Sequence, residues 1–198
     1  MSKKSISYFI KKNCIEYSKK DEFFLGKLPG ARYKSQFYLS KLLYNTDMLE
    51  MIGEEFVRIV KDEIGHWDFQ IAGREWSSIP LLTCLPLHVK YAAFERINSF
   101  MIRSEKKTYG IHNWVEGSYN GLPVLIVDDL CNSTNSFIHC HNVITKELKL
   151  ETLPCIFAVL NKYRYNHFDE EEHEYYDRYL GRSHKALSIL TRDDLDDN

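Results

Sequence analysis

Apolar residues first recur at helical spacing. Ile6, Phe9, Ile10, Cys14 and Tyr17 follow at steps of three and four, which predicts an amphipathic helix over residues 5–20. Pro29 and Gly30 break that period as a turn, and QFYLS (36–40) reads as a short strand. A second helix is predicted to open at Asp47, with Glu50 completing a capping box. It would bury Met48, Leu49, Ile52, Phe56, Ile59 and Val60 and close at Gly65. Beyond it the period shortens. FQIAG (69–73), RINSFMIRS (96–104), VLIV (124–127) and CIFAVLNK (155–162) read as strands, and 124–127, without polar alternation, as one buried on both faces. Helical segments lie between them. One carries Pro80 in its first turn, where proline is tolerated, and should kink or end at Pro86. Another carries Phe137, Ile138, Val143 and Ile144, with Ser133 or Thr134 as its cap. Strand and helix in alternation predict an α/β fold, a mostly parallel twisted sheet flanked by helices. One stretch fits neither period: EKKTYGIHNWVEGSYNGL (105–122) is long for a loop in a compact domain, so it is functional or disordered.

Composition narrows the classes. The chain has 198 residues, enough for one good core, and 44% apolar content typical of globular proteins. With 26 basic against 28 acidic residues, no overall field recommends nucleic acid or an anionic membrane. Any anion site must be local. Five cysteines (14, 84, 131, 140, 155) lack CxxC spacing and no apolar leader opens the chain, so a reducing cytoplasm is expected. No apolar run approaches the ~18 residues of a membrane span.

Candidate chemistry concentrates in VLIVDDLCNSTNSF (124–137). Its buried strand runs into Asp128 and Asp129, which places two carboxylates at the strand's C-terminal edge, where ligands bind in open α/β sheets. The helix that follows offers unpaired N–H groups to a phosphate, with Asn132, Ser133, Thr134, Asn135 and Ser136 as short donors around it. The carboxylates would repel a phosphate but suit the hydroxyls of a ribose. A sugar carrying a phosphate is the implied ligand. A solvated turn uses the same residue types, and a receiver domain also ends an apolar strand in paired acids, although on its first strand. His139, Cys140 and His141 invite a metal reading, but consecutive helical residues point apart. Lys106 and Lys107 also fit a solvated charge run, Trp76 a core aromatic, and DEEEHE (169–174) a solvated helix face or a basic partner's contact.

The order of segments resembles that of orotate phosphoribosyltransferases of the type I fold, over about residues 8–162. VLIVDDLCNSTNS resembles the family's phosphoribosyl-pyrophosphate motif. FMIRSEKKTYG resembles the start of its mobile catalytic loop, and FQIAGREWSSIP its pyrophosphate-binding loop. FIKKNCIEYSKKDEFFLGKLPGARYKSQFYLS resembles its amino-terminal helix and hood. The resemblance implies a single domain: helix and hood to about residue 45, an α/β core over 46–162, and a charged tail over 163–198.

The same resemblance implies transfer of a phosphoribosyl group to a nitrogenous base with release of pyrophosphate. Asp128 and Asp129 would hold the ribose, while Arg103 and Lys107 close over pyrophosphate. Glu75, Trp76, Ser77 and Ser78 would line its loop, and Lys162 would meet the base. Mg2+ would be held mainly by the substrate, with Asp128 and Asp129 as candidate protein contacts. Loop residues in this family reach the neighbouring subunit's site, which implies a homodimer.

Departures qualify these implications. Ser104, Tyr109 and Ser77 stand where the family has Lys, His and Lys, and the phosphate loop has no glycine, although Asn132 and Asn135 tolerate left-handed backbone. The family's orotate-contacting Lys falls near Pro29 or Gly30, with Lys27 and Lys34 only neighbouring it, so the expected base is not orotate. The alternative is a non-catalytic homologue that binds the same ligand as a sensor or regulator, and a weaker one uses the tail to contact a protein partner.

Overall fold

The computed structural model describes residues 2–20, 22–25, 32–108, 113–132, 135–162 and 185–195. Helix α1 (Ser2–Phe9) widens into a π-helical turn ending at Cys14 and buries Ile6, Ile10 and Cys14. The predicted helix then stops short. Strand β1 (Ile15–Tyr17) leaves it, and Tyr17, expected in the buried stripe, faces solvent. Strands β2 (Phe24–Leu25) and β3 (Arg32–Tyr33) pair with each other, while β4 (Ser35–Phe37) pairs antiparallel with β1. Cross-strand backbone bonds thus override the helical period beyond Cys14. The expected turn at Pro29 and Gly30 lies outside the described residues.

After the short α2 (Ser40–Leu43), helix α3 (Thr46–Glu63) buries Met48, Ile52, Phe56, Ile59 and Val60 as their spacing predicts, with Leu49 only partly covered. Its cap is not Asp47. Asn45 has the extended backbone of an N-cap, and its side-chain oxygen accepts the Met48 N–H at 3.1 Å. Gly65, at φ +81°, turns the chain out of the helix.

Strand β5 (Gln70–Arg74) leads to α4 (Ile79–His88), with Pro80 in its first turn. Pro86 does not end the helix, which continues through a π-helical segment to Ala93. The buried face of Leu81, Leu82, Leu85 and Val89 offsets the lost N–H. Strand β6 (Ser99–Ile102) follows, then β7 (Val115–Gly117), a short antiparallel edge strand inside the stretch that showed no period. Three residues with one buried side chain, Val115, leave no periodic trace.

The central strand is β8 (Val124–Cys131), followed by α5 (Asn135–Asn142) and β9 (Thr152–Asn161). The supposed tail supplies β10 (Lys185–Thr191), which pairs parallel with β9 and buries Leu187, Ile189 and Leu190. The six-stranded sheet runs β10-β9-β8-β5-β6-β7, parallel except for β7. Leu125 and Val127 pack with α1, α3 and α4, whereas Val124 and Ile126 pack with α5. Helices therefore cover both faces.

Counting parallel strands in chain order gives 2-1-3-4-5. The first connection turns one way from β5 and the next turns the other, to β8, so the strand ends part at a crevice between β5 and β8. In such sheets that is the ligand site. Among the described residues no helix is long and apolar enough to cross a membrane.

Candidate active site at the switch point

Close approach of β5 and β8 builds the crevice. A Cβ on Gly73 would lie 2.4 Å from Ser78 Cβ and 2.5 Å from the Val127 carbonyl oxygen, so only glycine fits there. Beyond Gly73 the chain turns through Glu75, Trp76, Ser77 and Ser78 into α4, with a cis Glu75–Trp76 peptide. Ser78 is buried and donates to the Arg74 carbonyl at 2.6 Å. Glu75 ties this turn to β6: its N–H donates to the Ile102 carbonyl at 2.9 Å, and its Oε1 accepts the Ser104 N–H at 2.8 Å. Arg74 Nε donates to Ser104 Oγ at 3.1 Å. Trp76 is no core aromatic; it is 77% exposed at the mouth.

The two aspartates are not equivalent. Asp128 is only 4% exposed and turned inward, where its Oδ1 accepts Ser77 Oγ at 2.7 Å and the Asp129 N–H at 2.9 Å. Ser136, in the first turn of α5, adds a further hydrogen bond. Burial raises its pKa, and these donors oppose the shift. Asp129 is partly exposed. Burial, the adjacent Asp128 charge and their shared hydrogen bond push it up to about 8. Donors converge on Asp128 and favour its charged form, while the neighbouring charge opposes ionisation of Asp129, so the two carboxyls resist being charged together. The two carboxyls therefore do not share one orientation: Asp128 is turned into the protein, whereas Asp129 keeps some exposure. Asp128 is committed to the protein because Ser77, where the resemblance expects Lys, supplies a short donor that reaches it.

No family model matches the chain. It is 29% identical over 143 residues to an orotate phosphoribosyltransferase of Methanocaldococcus jannaschii, covering 70% of this chain and 72% of that one. Its fold superposes on a phosphoribosyltransferase of Corynebacterium diphtheriae with a TM-score of 0.71 at 20% identity, covering 98% and 99% of the two chains. An orotate phosphoribosyltransferase of Mycobacterium tuberculosis gives 0.71 at 16% identity, with the same coverage. The adenine phosphoribosyltransferase of Leishmania donovani gives 0.61 at 15%, covering 98% and 82%. The chain has the type I phosphoribosyltransferase fold and is orotate phosphoribosyltransferase-like.

Within this phosphoribosyltransferase fold the remaining candidates are dispersed. Arg103 Nη1 pairs with Glu116 Oε1 at 2.8 Å, so its guanidinium is held by β7. Lys107 is half-buried, and its N–H donates to the Asn113 carbonyl at 3.1 Å, closing the loop's first turn. Lys106 lies 4.0 Å from Glu147. Asn132 and Asn135 flank the start of α5. Ser133 and Thr134, expected as phosphate donors and helix cap, lie outside the described residues, as do Tyr109, Gly110, Lys27 and the 169–174 acid run. Lys162 follows β9 at the same sheet edge. Its Nζ stands 4.1 Å from the centre of the Phe37 ring, and burial, with nearby Arg192, pushes it down to about 8.

Three contributors escaped the sequence reading. Gly73 was signalled by being a glycine inside a strand, the mark of close backbone approach. Arg74 and Phe37 left no such signal. His139 and His141, weighed above as metal ligands, go to separate partners, the Arg103 carbonyl at 2.8 Å and Thr152 Oγ1 at 3.2 Å, and Cys140 is buried between them.

Proposed function

We propose that the chain transfers the phosphoribosyl group of phosphoribosyl pyrophosphate to a nitrogenous base other than orotate and releases pyrophosphate. The observation that carries this reading is the coupled Asp128–Asp129 pair at the β5–β8 switch point. The bond from ribose C1 to the pyrophosphate oxygen breaks, pyrophosphate leaves with the electron pair, and a base nitrogen bonds to C1, any proton on that nitrogen passing to the departing pyrophosphate or to solvent. Positive charge grows on the ribose ring as the bond breaks, so a carboxylate pair beneath it stabilises the transition state more than the ground state.

Asp129 contacts the ribose hydroxyls, and Asp128 joins it once Ser77 gives way. Asn132, Asn135 and Ser136, with Ser133 and Thr134, surround the 5′-phosphate. Glu75, Trp76, Ser77 and Ser78 face the pyrophosphate, over which Arg103 and Lys107 close. Lys162 meets the base beneath Phe37. Lys162 falls where the family resemblance implies an arginine, and a lysine pushed down to about 8 is a weaker cation than an arginine, which supports a base other than orotate. Relatives named for orotate and for adenine share the fold, so it accommodates different bases.

Among the described residues no three His, Cys, Asp or Glu side chains cluster, so the crevice offers metal only the aspartate pair. That suits Mg2+, which binds through one or two carboxylates plus substrate phosphates and water. When bound, Mg2+ would neutralise the diphosphate. A homodimer is supported by the exposed Leu87 and Tyr91, spaced i, i+4 along α4 and its extension, and by the exposed Phe94 that follows the extension in left-handed backbone.

The test is pyrophosphate release from phosphoribosyl pyrophosphate and Mg2+ with a panel of purine, pyrimidine and pyridine bases. Base-dependent multiple turnover is expected. Inward-turned Asp128 and Arg103 held by Glu116 favour a second reading, a non-catalytic binder of the same ligand. Calorimetric binding with unaltered ligand recovered, and no turnover with any base, would decide for it.

A further inference from the structure

We infer that His139 is a positioning residue that fixes the root of the β6–β7 loop to the helix beside the aspartate pair. The inference rests on the phosphoribosyltransferase reading for the loop's role, and on geometry for the contact itself.

Helix α5 makes two outward contacts from one face, three residues apart. In its first turn Ser136 hydrogen-bonds to Asp128. One turn on, His139 Nε2 lies 2.8 Å from the Arg103 carbonyl oxygen. A carbonyl only accepts, so the facing ring nitrogen carries the proton, in the neutral and the charged imidazole alike. The same ring meets Trp114 edge-on, with centroids 5.9 Å apart. Arg103 and Trp114 are the two ends of the loop: the Arg103 N–H donates to the Trp114 carbonyl at 2.9 Å. His139 therefore touches both strands of the root at its closing pair.

Two other N–H groups there, Arg103 Nε and Trp114 Nε1, are buried with no acceptor among the described residues. They do not tie the root to the rest of the protein. Among the described residues the His139 bond is the polar link from α5 to this root, beside the Glu75 and Arg74 bonds that hold Ser104 to the turn after β5, and Lys107 follows Arg103 by four residues. Losing the bond would leave ligand affinity near the aspartates largely intact but let Lys107 wander from its place over the leaving pyrophosphate. That is a defect in chemistry rather than in ground-state binding.

The test compares His139→Phe, which keeps a ring against Trp114 but removes the donor, with His139→Gln, whose amide restores one, in the full-length chain. Two readouts are taken: backbone amide exchange over residues 103–108 and 113–115 without ligand, and kcat and KM for phosphoribosyl pyrophosphate with Mg2+ and the best base. His139→Phe should speed exchange about tenfold, the effect of losing one net hydrogen bond. It should lower kcat about tenfold with KM within about twofold, because the loop is then less often in place, and His139→Gln should return both most of the way. Equal exchange in Phe and Gln variants, or a loss confined to KM, would overturn the assignment. If wild type turns over no base, exchange alone decides the contact, and the activity reading fails separately. Should His139→Phe not fold, His139→Leu takes its place against the same Gln control.

Discussion

The two ends of the crevice are built differently. At the proposed ribose end, Asp128 and Asp129 are set by the strand that carries them: β8 is buried on both faces up to Val127, and the close pass at Gly73 brings Ser77 within 2.7 Å of Asp128. At the proposed pyrophosphate end the framework is hydrogen bonds to backbone and side chains rather than assembled cations: Glu75 and Arg74 tie Ser104 to the turn after β5. Arg103 is held by Glu116, serines stand at positions 77 and 104, and Lys107 hangs on a loop joined at its root. Topology can place a carboxylate pair before any ligand arrives, whereas cations gathered from a loop need the ligand's own charge to assemble them. The first end is legible as architecture and the second only as potential chemistry.

The comparison breaks most completely at Gly73. Gly73→Val should destabilise the fold by about 3 kcal/mol, since its Cβ meets the Val127 backbone and Ser78. Urea denaturation measures this, and a stable variant would show that the strands can part without cost. Lys107→Ala should next lower kcat roughly 100-fold, in the range for removing one preorganised charge-stabilising group. Its calorimetric affinity for phosphoribosyl pyrophosphate should change little. A matching loss of affinity would place Lys107 in ground-state binding.

A pH series sharpens the ribose end. Asp129 is raised to about 8 in the folded chain, so its contribution to stability is fully present below the ordinary carboxylate value and is lost as pH rises through about 8. Asp129→Asn cannot ionise. Its melting temperature relative to wild type should therefore rise between pH 4 and 8 and level off above. A constant difference would mean that the two carboxyls do not resist being charged together. Smallest is Glu116→Gln, which releases Arg103 from an exposed pair worth less than about 1 kcal/mol. Stability should hardly move, while kcat should rise by up to about twofold if Arg103 closes over pyrophosphate.

Much of the fold could be read from the chain because the informative segments were long or doubly buried. The α3 stripe carries a strong helical period and residues 124–127 an unbroken apolar run, and both appear as expected. What escaped was short or dependent on distant pairing. Strand β1 breaks a helical period because β4 offers backbone partners, and β7 has three residues. Strand β10 follows an acidic, aromatic stretch that suggested only a charged tail. For the site, Asp128, Asp129 and Ser77 fall at one strand edge as the motif order implied. The inward turn of Asp128 was hidden, since it depends on a serine 51 positions away.

The most direct measurement is a calorimetric titration of phosphoribosyl pyrophosphate with Mg2+ into wild type and Asp129→Asn at neutral pH, with both shown to be folded. Binding to wild type and an affinity loss of about tenfold or more in the variant, about 1.4 kcal/mol, are the expected results. Equal affinity in the two proteins, or no binding to wild type, would contradict a ribose site on the aspartate pair.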